Sequence, residues 1–217
     1  MIERRFHQIW INNEKPELPD ELKRLRDTWL KYHPSWDYSL WDLQNLDFEP
    51  RCSSLLPMCQ HPAQAADLLR MEILFHHGGI YMDTDFECLK PLDRILEDVV
   101  AFSCSEEGRC ISIGILGAEK GSRLFSAVIE NFPRTIGVRP VNVETGPAFF
   151  TEVLFRTGIS NDFTIFPTHY FYPFNVHTKK RDGIDLSKSY AVHHYSESWK
   201  KPPTKWRKVV NKVKSIF

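Results

Sequence analysis

A short apolar strand between a glycine pair and an acidic pair organises this sequence: Gly78-Gly79-Ile80-Tyr81-Met82-Asp83-Thr84-Asp85. Because residues two apart on a strand share a face, Asp83 and Asp85 are predicted to point the same way at the strand end. Two convergent carboxylates suit a hard divalent cation such as Mg²⁺ or Mn²⁺. Such a cation can hold and neutralise a diphosphate leaving group.

The acidic pair also has an ordinary explanation. An Asp-x-Asp pattern occurs roughly once by chance in a chain of this size, and most such pairs are solvated turn residues. The setting is more informative, because an apolar helix pattern over residues 62–77 leads into the glycines and the strand follows at once. Open α/β sheets bind ligands at the carboxyl ends of their strands. Spacing alone therefore leaves a metal site and a solvated turn both open.

The bulk composition predicts one compact globular domain. The chain has 217 residues and an apolar fraction of 42%, enough for a substantial core. Its 28 basic and 28 acidic residues cancel, so the net charge gives no sign of a nucleic-acid partner. Five cysteines without a Cys-x-x-Cys motif argue against a disulfide framework and are typical of reduced thiols in the cytosol. We therefore expect a cytoplasmic protein, with neither a signal peptide nor a membrane span at its start.

Hydrophobic spacing predicts strands that alternate with helices. A strand carries Asp83, and the other expected strands cover residues 5–11, 38–41, 99–104, 111–116, 163–166 and 190–194. The expected helices cover residues 20–33, 63–75, 121–132 and 146–155. This alternation predicts an α/β fold with a mixed, mostly parallel sheet and helices on both faces. Residues 1–199 are expected to form one domain, followed by a separate tail over residues 200–217.

Three segments together resemble the sugar-transferring DXD family of glycosyltransferases. Asp67-Leu68-Leu69-Arg70, followed by residues 78–85, looks like the core motif of that family. Residues 6–11 are similar to its opening strand, and residues 192–199 to its closing His…Trp segment. The family includes yeast-type initiating mannosyltransferases, bacterial polysaccharide glycosyltransferases and the catalytic domains of clostridial glucosylating toxins. The resemblance implies a GT-A fold, a UDP- or GDP-sugar donor, a divalent metal and retention of anomeric configuration.

The resemblance gives roles to Trp10, Asp67 and Arg70, each of which also has a structural explanation. Trp10 matches the nucleotide-facing tryptophan of the family, although a tryptophan that closes a strand is more often in the core. Asp67 and Arg70 match residues that hold the donor sugar, although residues three apart on a helix also form surface ion pairs. Tyr81 shares a strand face with the acidic pair, and it either packs beneath the nucleotide or fills the core.

The closing segment supplies a histidine and a tryptophan. His193 and His194 are adjacent in a predicted strand, so one ring lies on each face. Imidazole can complete a metal site that carboxylates begin, and the spacing to Trp199 in the resembling motif favours His194. Trp199 would reach the diphosphate through its indole N–H. Thr145-Gly146-Pro147 resembles an element on the acceptor side, although the same tripeptide is a common helix start.

These residues predict a metal-dependent transfer of a hexose to a carbohydrate, glycolipid or protein hydroxyl, in polysaccharide or glycolipid synthesis. Two alternatives are a metal-dependent phosphohydrolase and a non-catalytic domain that binds sugar nucleotides. The predicted catalytic residues are Asp83, Asp85, Asp67 and Arg70. The predicted metal ligands are Asp83, Asp85 and His194. The predicted contacts with the nucleotide sugar are Trp10, Tyr81, Asp67, Arg70, Asp83 and Trp199.

The tail after Pro202-Pro203 is basic and amphipathic. It has no acidic residue, and Trp206, Val209, Val210 and Val213 recur at helical spacing. One interpretation is a terminal helix docked on the domain with a solvated basic face. The other is a peripheral anchor on the anionic inner face of a membrane, with the tryptophan at the interface.

Overall fold

The computed structural model describes residues 1–12, 15–106, 108–133, 136–137, 140–174, 183–196 and 206, and these follow the predicted α/β alternation. The strands are β1 (Arg5–Ile9), β2 (Asp37–Trp41), β3 (Gly79–Met82), β4 (Phe86–Cys88), β5 (Ala101–Glu106), β6 (Cys110–Ile111), β7 (Ile115–Ala118), β8 (Thr164–Phe166) and β9 (Ala191–His193). The helices are α1 (Asp20–Tyr32), α2 (Pro62–His77), α3 (Arg123–Glu130), α4 (Val141–Glu144) and α5 (Pro147–Arg156).

The helices begin and end where the sequence supplies suitable residues. α1 carries Asp20 and Glu21 in its first turn, where carboxylates interact favourably with the helix dipole. α2 begins at Pro62, a position that needs no backbone N–H donor. It ends at Gly78, whose φ of 66° suits glycine, and Gly79 follows with a φ of 86°. The two glycines therefore turn the chain directly from α2 into β3.

The main sheet has seven strands in the order β2-β1-β3-β7-β5-β6, with β8 paired to β5. β1 is parallel to both β2 and β3, and β5 is parallel to β8. β7 is antiparallel to β3 and to β5, and β6 is antiparallel to β5. Within this sheet β6 and β7 thus run against the common direction of the other strands, which confirms a mixed, mostly parallel sheet. β4 and β9 form a separate antiparallel pair.

Apolar side chains alternate between the two faces of the sheet. On one face, Tyr81 and Leu116 belong to a core built with α2, α3 and α5. On the other face, Phe6 and Ile80 pack with Trp29 of α1 and with apolar residues of β4 and β9. The predicted helices on both faces are therefore present. The segment between β3 and β4 carries the chain from the main sheet into this second layer.

The acidic pair lies in a turn and not on a strand. β3 ends at Met82 and β4 begins at Phe86, and Phe86 N donates a hydrogen bond to Asp83 O at 3.2 Å. The expectation that strand alternation orients Asp83 and Asp85 was therefore wrong, and a tight turn positions them. The short helix α4 was also not predicted, because four residues give too little periodicity to read.

Trp206 is the described residue of the tail, and it is buried in the core formed with α2. Its indole N–H donates to Cys59 O at 2.9 Å. Residues 200–205 and 207–217 lie outside the described part of the chain, so the predicted amphipathic helix stays a prediction. In the described segments, no helix combines the length and the apolar character needed to cross a bilayer.

Candidate active site

Asp83, Asp85 and His193 converge beside the turn that joins β3 to β4. One possible ligand atom from each side chain lies within 4.8 Å of the other two. Among the residues that the structure describes, this is the one group of three or more His, Cys, Asp and Glu side chains so arranged. The backbone of the turn is fixed to the sheet, because Asp83 N donates to Gly114 O at 2.8 Å. Three strands, β3, β4 and β9, therefore deliver the cluster.

The structure brings His193 to the carboxylates in place of the predicted His194. His193 lies across from Phe86 in the β4–β9 ladder, and its Nε2 is 3.0 Å from Asp85 Oδ1. His194 Nε2 instead lies 2.8 Å from Glu87 Oε2. Adjacent residues of a strand point to opposite faces, so the register of β9 directs His193 and not His194 toward the carboxylates.

Asp85 is almost completely buried, and both of its oxygens are engaged. Ser196 donates to Oδ2 from its backbone N–H at 2.8 Å and from its hydroxyl at 2.9 Å. Burial by itself raises the pKa of the Asp85 carboxyl, but the hydrogen bonds from His193 and Ser196 outweigh burial and hold that pKa below its usual range. Asp85 is therefore a carboxylate at neutral pH.

Aromatic rings surround His193. Its ring stacks on Phe86 with centroids 4.5 Å apart, and it also contacts the rings of Tyr195 at 4.2 Å and Tyr172 at 5.2 Å. Burial lowers the pKa of His193, but the hydrogen bond and the charge of Asp85 raise it by more, so the net shift is upward. Because Nε2 faces the carboxylates, Nε2 is the atom available to a cation.

Arg70 joins the predicted sugar-binding and metal-binding carboxylates. Its Nη2 lies 2.9 Å from Asp67 Oδ1, and its Nη1 lies 3.2 Å from Asp83 Oδ1. The guanidinium carbon lies 4.5 Å from the centre of the Tyr81 ring. The Tyr81 hydroxyl in turn donates to Asp83 Oδ1 at 2.7 Å. Asp67 and Arg70 thus form a buried pair directed at the site and not a surface ion pair.

Asp67 has a second partner from the start of α5. Thr145, which precedes the Gly146-Pro147 start of that helix, donates from its hydroxyl to Asp67 Oδ2 at 2.9 Å. Burial raises the pKa of Asp67 to about 6, although the charge of Arg70 and the bond from Thr145 act in the opposite direction. The Thr-Gly-Pro element therefore reaches the site through its threonine.

Trp10 lies just beyond the carboxyl end of β1, the strand beside β3 in the sheet. The residue is partly exposed, and its indole N–H donates to Lys15 O at 2.9 Å. This position leaves its ring at the sheet edge that also carries Asp83. Trp199 lies outside the described residues. The nucleotide-binding roles of both tryptophans stay predictions.

Sequence reasoning missed Ser196, Gln8 and Tyr172. Gln8 is fully buried, and its Nε2 donates to Asp83 O at 3.3 Å. The Tyr172 hydroxyl forms a hydrogen bond with the hydroxyl of Ser112 beside the Asp83 turn. Gln8 was detectable as an amide beside Ile9 in the first predicted strand, since a buried amide needs partners. A serine or tyrosine brought in from a distant segment leaves no such pattern.

The cluster suits a hard divalent cation. Carboxylate oxygens are preferred by Mg²⁺ and Mn²⁺, and imidazole is a common third ligand for transition metals. Two adjacent ligands of an octahedral ion, each about 2.1 Å from it, are separated by about 3 Å. The 3.0 Å between His193 Nε2 and Asp85 Oδ1 agrees with that separation.

Comparison with protein families finds a similarity in the N-terminal half of the chain. Residues 19–101 match the family described as "Glycosyltransferase sugar-binding region containing DXD motif". An uncharacterised glycosyltransferase of Acanthamoeba polyphaga mimivirus is 27% identical over 92% of this chain and 84% of its own length. Inositol phosphoceramide mannosyltransferase 3 of Schizosaccharomyces pombe is 27% identical over 68% of this chain. The match spans 43% of that yeast enzyme, less than half of its length.

Solved structures share the fold at low sequence identity. The glycosyltransferase PaToxG has a TM-score of 0.53 at 19% identity, covering 74% of this chain and 72% of its own. The galactosyltransferase LgtC, solved with donor and acceptor sugar analogues, has a TM-score of 0.52 at 11% identity. That match covers 98% of this chain and 94% of the LgtC chain. These similarities confirm the predicted GT-A fold.

Proposed function

We propose that this chain, which resembles glycosyltransferases of the DXD-containing group, transfers a hexose from a nucleotide diphosphate sugar to an acceptor hydroxyl, with retention of configuration. One observation carries the proposal. The cation-type cluster of Asp83, Asp85 and His193 adjoins the buried Asp67–Arg70 pair, with Arg70 in contact with both Asp67 and Asp83. A group that can neutralise a diphosphate thus lies beside groups that can hold a sugar.

Each part of this arrangement has a chemical role in the transfer. A Mg²⁺ or Mn²⁺ ion held by Asp83, Asp85 and His193 would supply positive charge at the departing diphosphate. Arg70 adds fixed positive charge close to Asp83. This charge would also favour the departing diphosphate, on which negative charge develops during the transfer. Asp67, fixed by Arg70 and Thr145, orients hydroxyls of the sugar.

The surroundings of the three carboxylates in the site support a front-face mechanism. A retaining hydrolase places two carboxylates about 5 Å apart across the bond, and one of them attacks the sugar. Here Asp67 is engaged by Arg70 and Thr145, and Asp83 and Asp85 belong to the cation-type cluster. In the proposed reaction an oxygen of the leaving phosphate helps to deprotonate the acceptor hydroxyl, and no protein group becomes glycosylated.

The relatives support a choice of sugar and acceptor to test first. One yeast relative is named inositol phosphoceramide mannosyltransferase 3 and another mannosyl phosphorylinositol ceramide synthase, so mannose and a glycolipid hydroxyl are the leading candidates. A solved relative of the same fold was crystallised with bound UDP, so UDP-sugars belong in the test beside GDP-mannose.

A glycolipid acceptor would require access to a membrane surface. The tail carries seven lysine and arginine residues between positions 200 and 214 and no acidic residue there. Each basic residue near an anionic surface contributes about 1 kcal/mol of attraction. We therefore retain peripheral binding to the cytoplasmic face of a membrane as part of the proposal, with Trp206 fastened to the domain at Cys59.

The decisive experiment incubates the purified chain with GDP-mannose, UDP-glucose and UDP-galactose, with and without Mn²⁺. Mass spectrometry then follows nucleoside diphosphate, free sugar and glycosylated acceptor. Release of nucleoside diphosphate and sugar that requires Mn²⁺ is expected even without acceptor. Cleavage between the phosphates would indicate a phosphohydrolase, and nucleotide binding without turnover would indicate a non-catalytic domain. Full activity in excess chelator would exclude the cation.

A further inference from the structure

We propose that Ser196 is a positioning residue of the cation site, which holds one oxygen of Asp85 so that the other alone meets the cation. The proposal rests on the proposed function, because it requires a cation at the cluster of Asp83, Asp85 and His193. Its basis is that both donors of Ser196, the backbone N–H and the hydroxyl, are directed at the same oxygen, Asp85 Oδ2, at 2.8 and 2.9 Å.

The two oxygens of Asp85 have different surroundings. Oδ1 faces His193 Nε2 at 3.0 Å, the separation expected for neighbouring ligands of one small ion. Oδ2 faces Ser196, and a carboxylate oxygen has two lone-pair directions, which the two donors of Ser196 occupy. Asp85 can therefore accept the cation through Oδ1 without breaking either bond to Ser196.

The segment that follows β9 also holds the backbone of Asp85. His194 N donates to Asp85 O at 3.0 Å, so residues 193, 194 and 196 contact the main chain and both carboxylate oxygens of one aspartate. Partners of this kind fix the orientation of a ligating side chain before the metal arrives. Without the hydroxyl of Ser196, the Asp85 carboxylate has one fewer restraint on rotation about its terminal bond.

Ser189 provides a matched control for the loss of a serine hydroxyl. It precedes the same strand, β9, and is fully buried. Its hydroxyl donates to His169 O at 2.7 Å, so Ser189→Ala also deletes one serine-to-oxygen hydrogen bond. The oxygen that Ser189 bonds belongs to His169 and not to the cluster of Asp83, Asp85 and His193, so its replacement reports on folding.

The test measures Mn²⁺ binding to the full chain by electron paramagnetic resonance of the free ion, without nucleotide or turnover. Ser196→Ala is expected to raise the Kd for Mn²⁺ by about tenfold or more, the usual effect of removing an outer-shell partner. Ser196→Thr, which keeps the hydroxyl, should restore affinity close to wild type. Ser189→Ala should lower the thermal unfolding midpoint without changing the Kd.

A crystal structure of the wild-type protein with Mn²⁺ gives a second readout that does not depend on a variant. Coordination by Asp85 Oδ1 alone, with Ser196 still on Oδ2, is expected. Bidentate coordination by Asp85, or an unchanged Kd in Ser196→Ala while the wild type binds Mn²⁺, would overturn the role of Ser196 and leave the cation site standing. Absence of Mn²⁺ binding to the wild type would overturn both.

Discussion

His193 and His194 are neighbours in the chain with different surroundings. His193 Nε2 faces Asp85, whereas His194 Nε2 faces Glu87. We predict that His193→Ala weakens Mn²⁺ binding by at least about tenfold, because it removes a ligand and not merely an outer-shell group. His194→Ala is the matched control and should change the Kd little. A titration by electron paramagnetic resonance in which the two variants behave alike would remove His193 from the site.

Asp85→Asn tests the charge of the cluster with little change in shape. The substitution keeps an acceptor for Ser196 but removes the negative charge that a divalent cation needs. We expect turnover to fall at least about a hundredfold, the scale of losing one principal electrostatic stabiliser. Circular dichroism should show an intact fold. Asp20→Asn, in the exposed first turn of α1, should retain full activity, and an equal loss in both variants would contradict the prediction.

Trp10 tests the nucleotide side of the site. Its partly exposed ring at the edge of the sheet is available for stacking, and its indole N–H is already bonded to Lys15 O. Trp10→Ala should weaken binding of the nucleoside diphosphate by about 1–3 kcal/mol, the usual contribution of base stacking on an aromatic ring. Trp10→Phe should recover most of that loss. Calorimetric titration that shows wild-type affinity in Trp10→Ala would return this residue to a structural role.

At the scale of elements, the connection into β7 is packed directly against the Asp83 side chain. A Cβ atom on Gly114 would lie 2.6 Å from Tyr172 Oη and 2.9 Å from Asp83 Oδ2. Gly114→Ala should therefore displace Asp83, weaken Mn²⁺ binding and cost about 1–3 kcal/mol of stability through overpacking. Gly117→Ala is a suitable control, because its Cβ would meet the ring of Phe102, away from the site. If only stability changes in both variants, Gly114 has no part in positioning Asp83.

The elements themselves were largely predictable, since they depend on local patterns. Pro62 and Gly78 mark the ends of α2, and the apolar run after Gly79 gives β3. The turn at Asp83 could not be predicted from the alternation of side chains between two faces. The same alternation can be drawn through the turn residues, so it does not show where the strand ends. The pairing of β4 with β9 joins residues more than a hundred positions apart. Which of the two histidines faces Asp85 depends on the register of that pairing, and no local sequence pattern specifies the register.

At the scale of the whole molecule, the fold brings three distant parts of the chain to one edge of the sheet. α2 carries Asp67 and Arg70, and the turn between β3 and β4 carries Asp83 and Asp85. The other two parts supply Thr145 and His193. The family resemblance located all three parts in the sequence, but it favoured His194 where the structure places His193 beside Asp85. The contacts that complete the site, such as Ser196 with Asp85, are long-range and needed the structure.

The tail offers a test of how the whole molecule meets a membrane. Its basic residues predict salt-sensitive binding to anionic vesicles. The buried contact of Trp206 with Cys59 predicts that Trp206 stays packed against the domain when the protein binds a vesicle. Co-sedimentation should compare the full chain with a chain ending at Lys201, on anionic and on neutral vesicles. Equal partitioning of the two chains would show that the tail has only a structural role.

Two buried histidines predict a loss of stability in acid. His7 Nδ1 accepts the indole N–H of Trp41 at 3.0 Å, so its Nε2 carries the proton that is donated to Gly78 O at 3.0 Å. Leu92 N likewise donates to His33 Nε2 at 2.9 Å, which fixes that ring as neutral. Burial lowers the pKa of both histidines, and that of His7 falls to about 3. Protonation of either ring would break a buried hydrogen bond.

The sign of the effect follows from the direction of the shift. The folded-state pKa of His7 lies below the unfolded value of about 6.5, so the unfolded chain binds more protons between pH 6.5 and about 3. The contribution of His7 is therefore complete above pH 6.5 and is lost as the pH falls through that window, by up to about 1.4 kcal/mol per pH unit. Asp67, with its pKa raised to about 6, has the opposite effect on stability as the pH falls. The pH dependence of wild-type stability therefore combines the contributions of His7 and Asp67. Urea unfolding of wild type and His7→Gln from pH 7 to pH 4 separates them, since glutamine can bond to both partners without titrating. The difference between the two free energies of unfolding should shift in favour of His7→Gln as the pH falls, and a difference independent of pH would show that His7 is not held neutral.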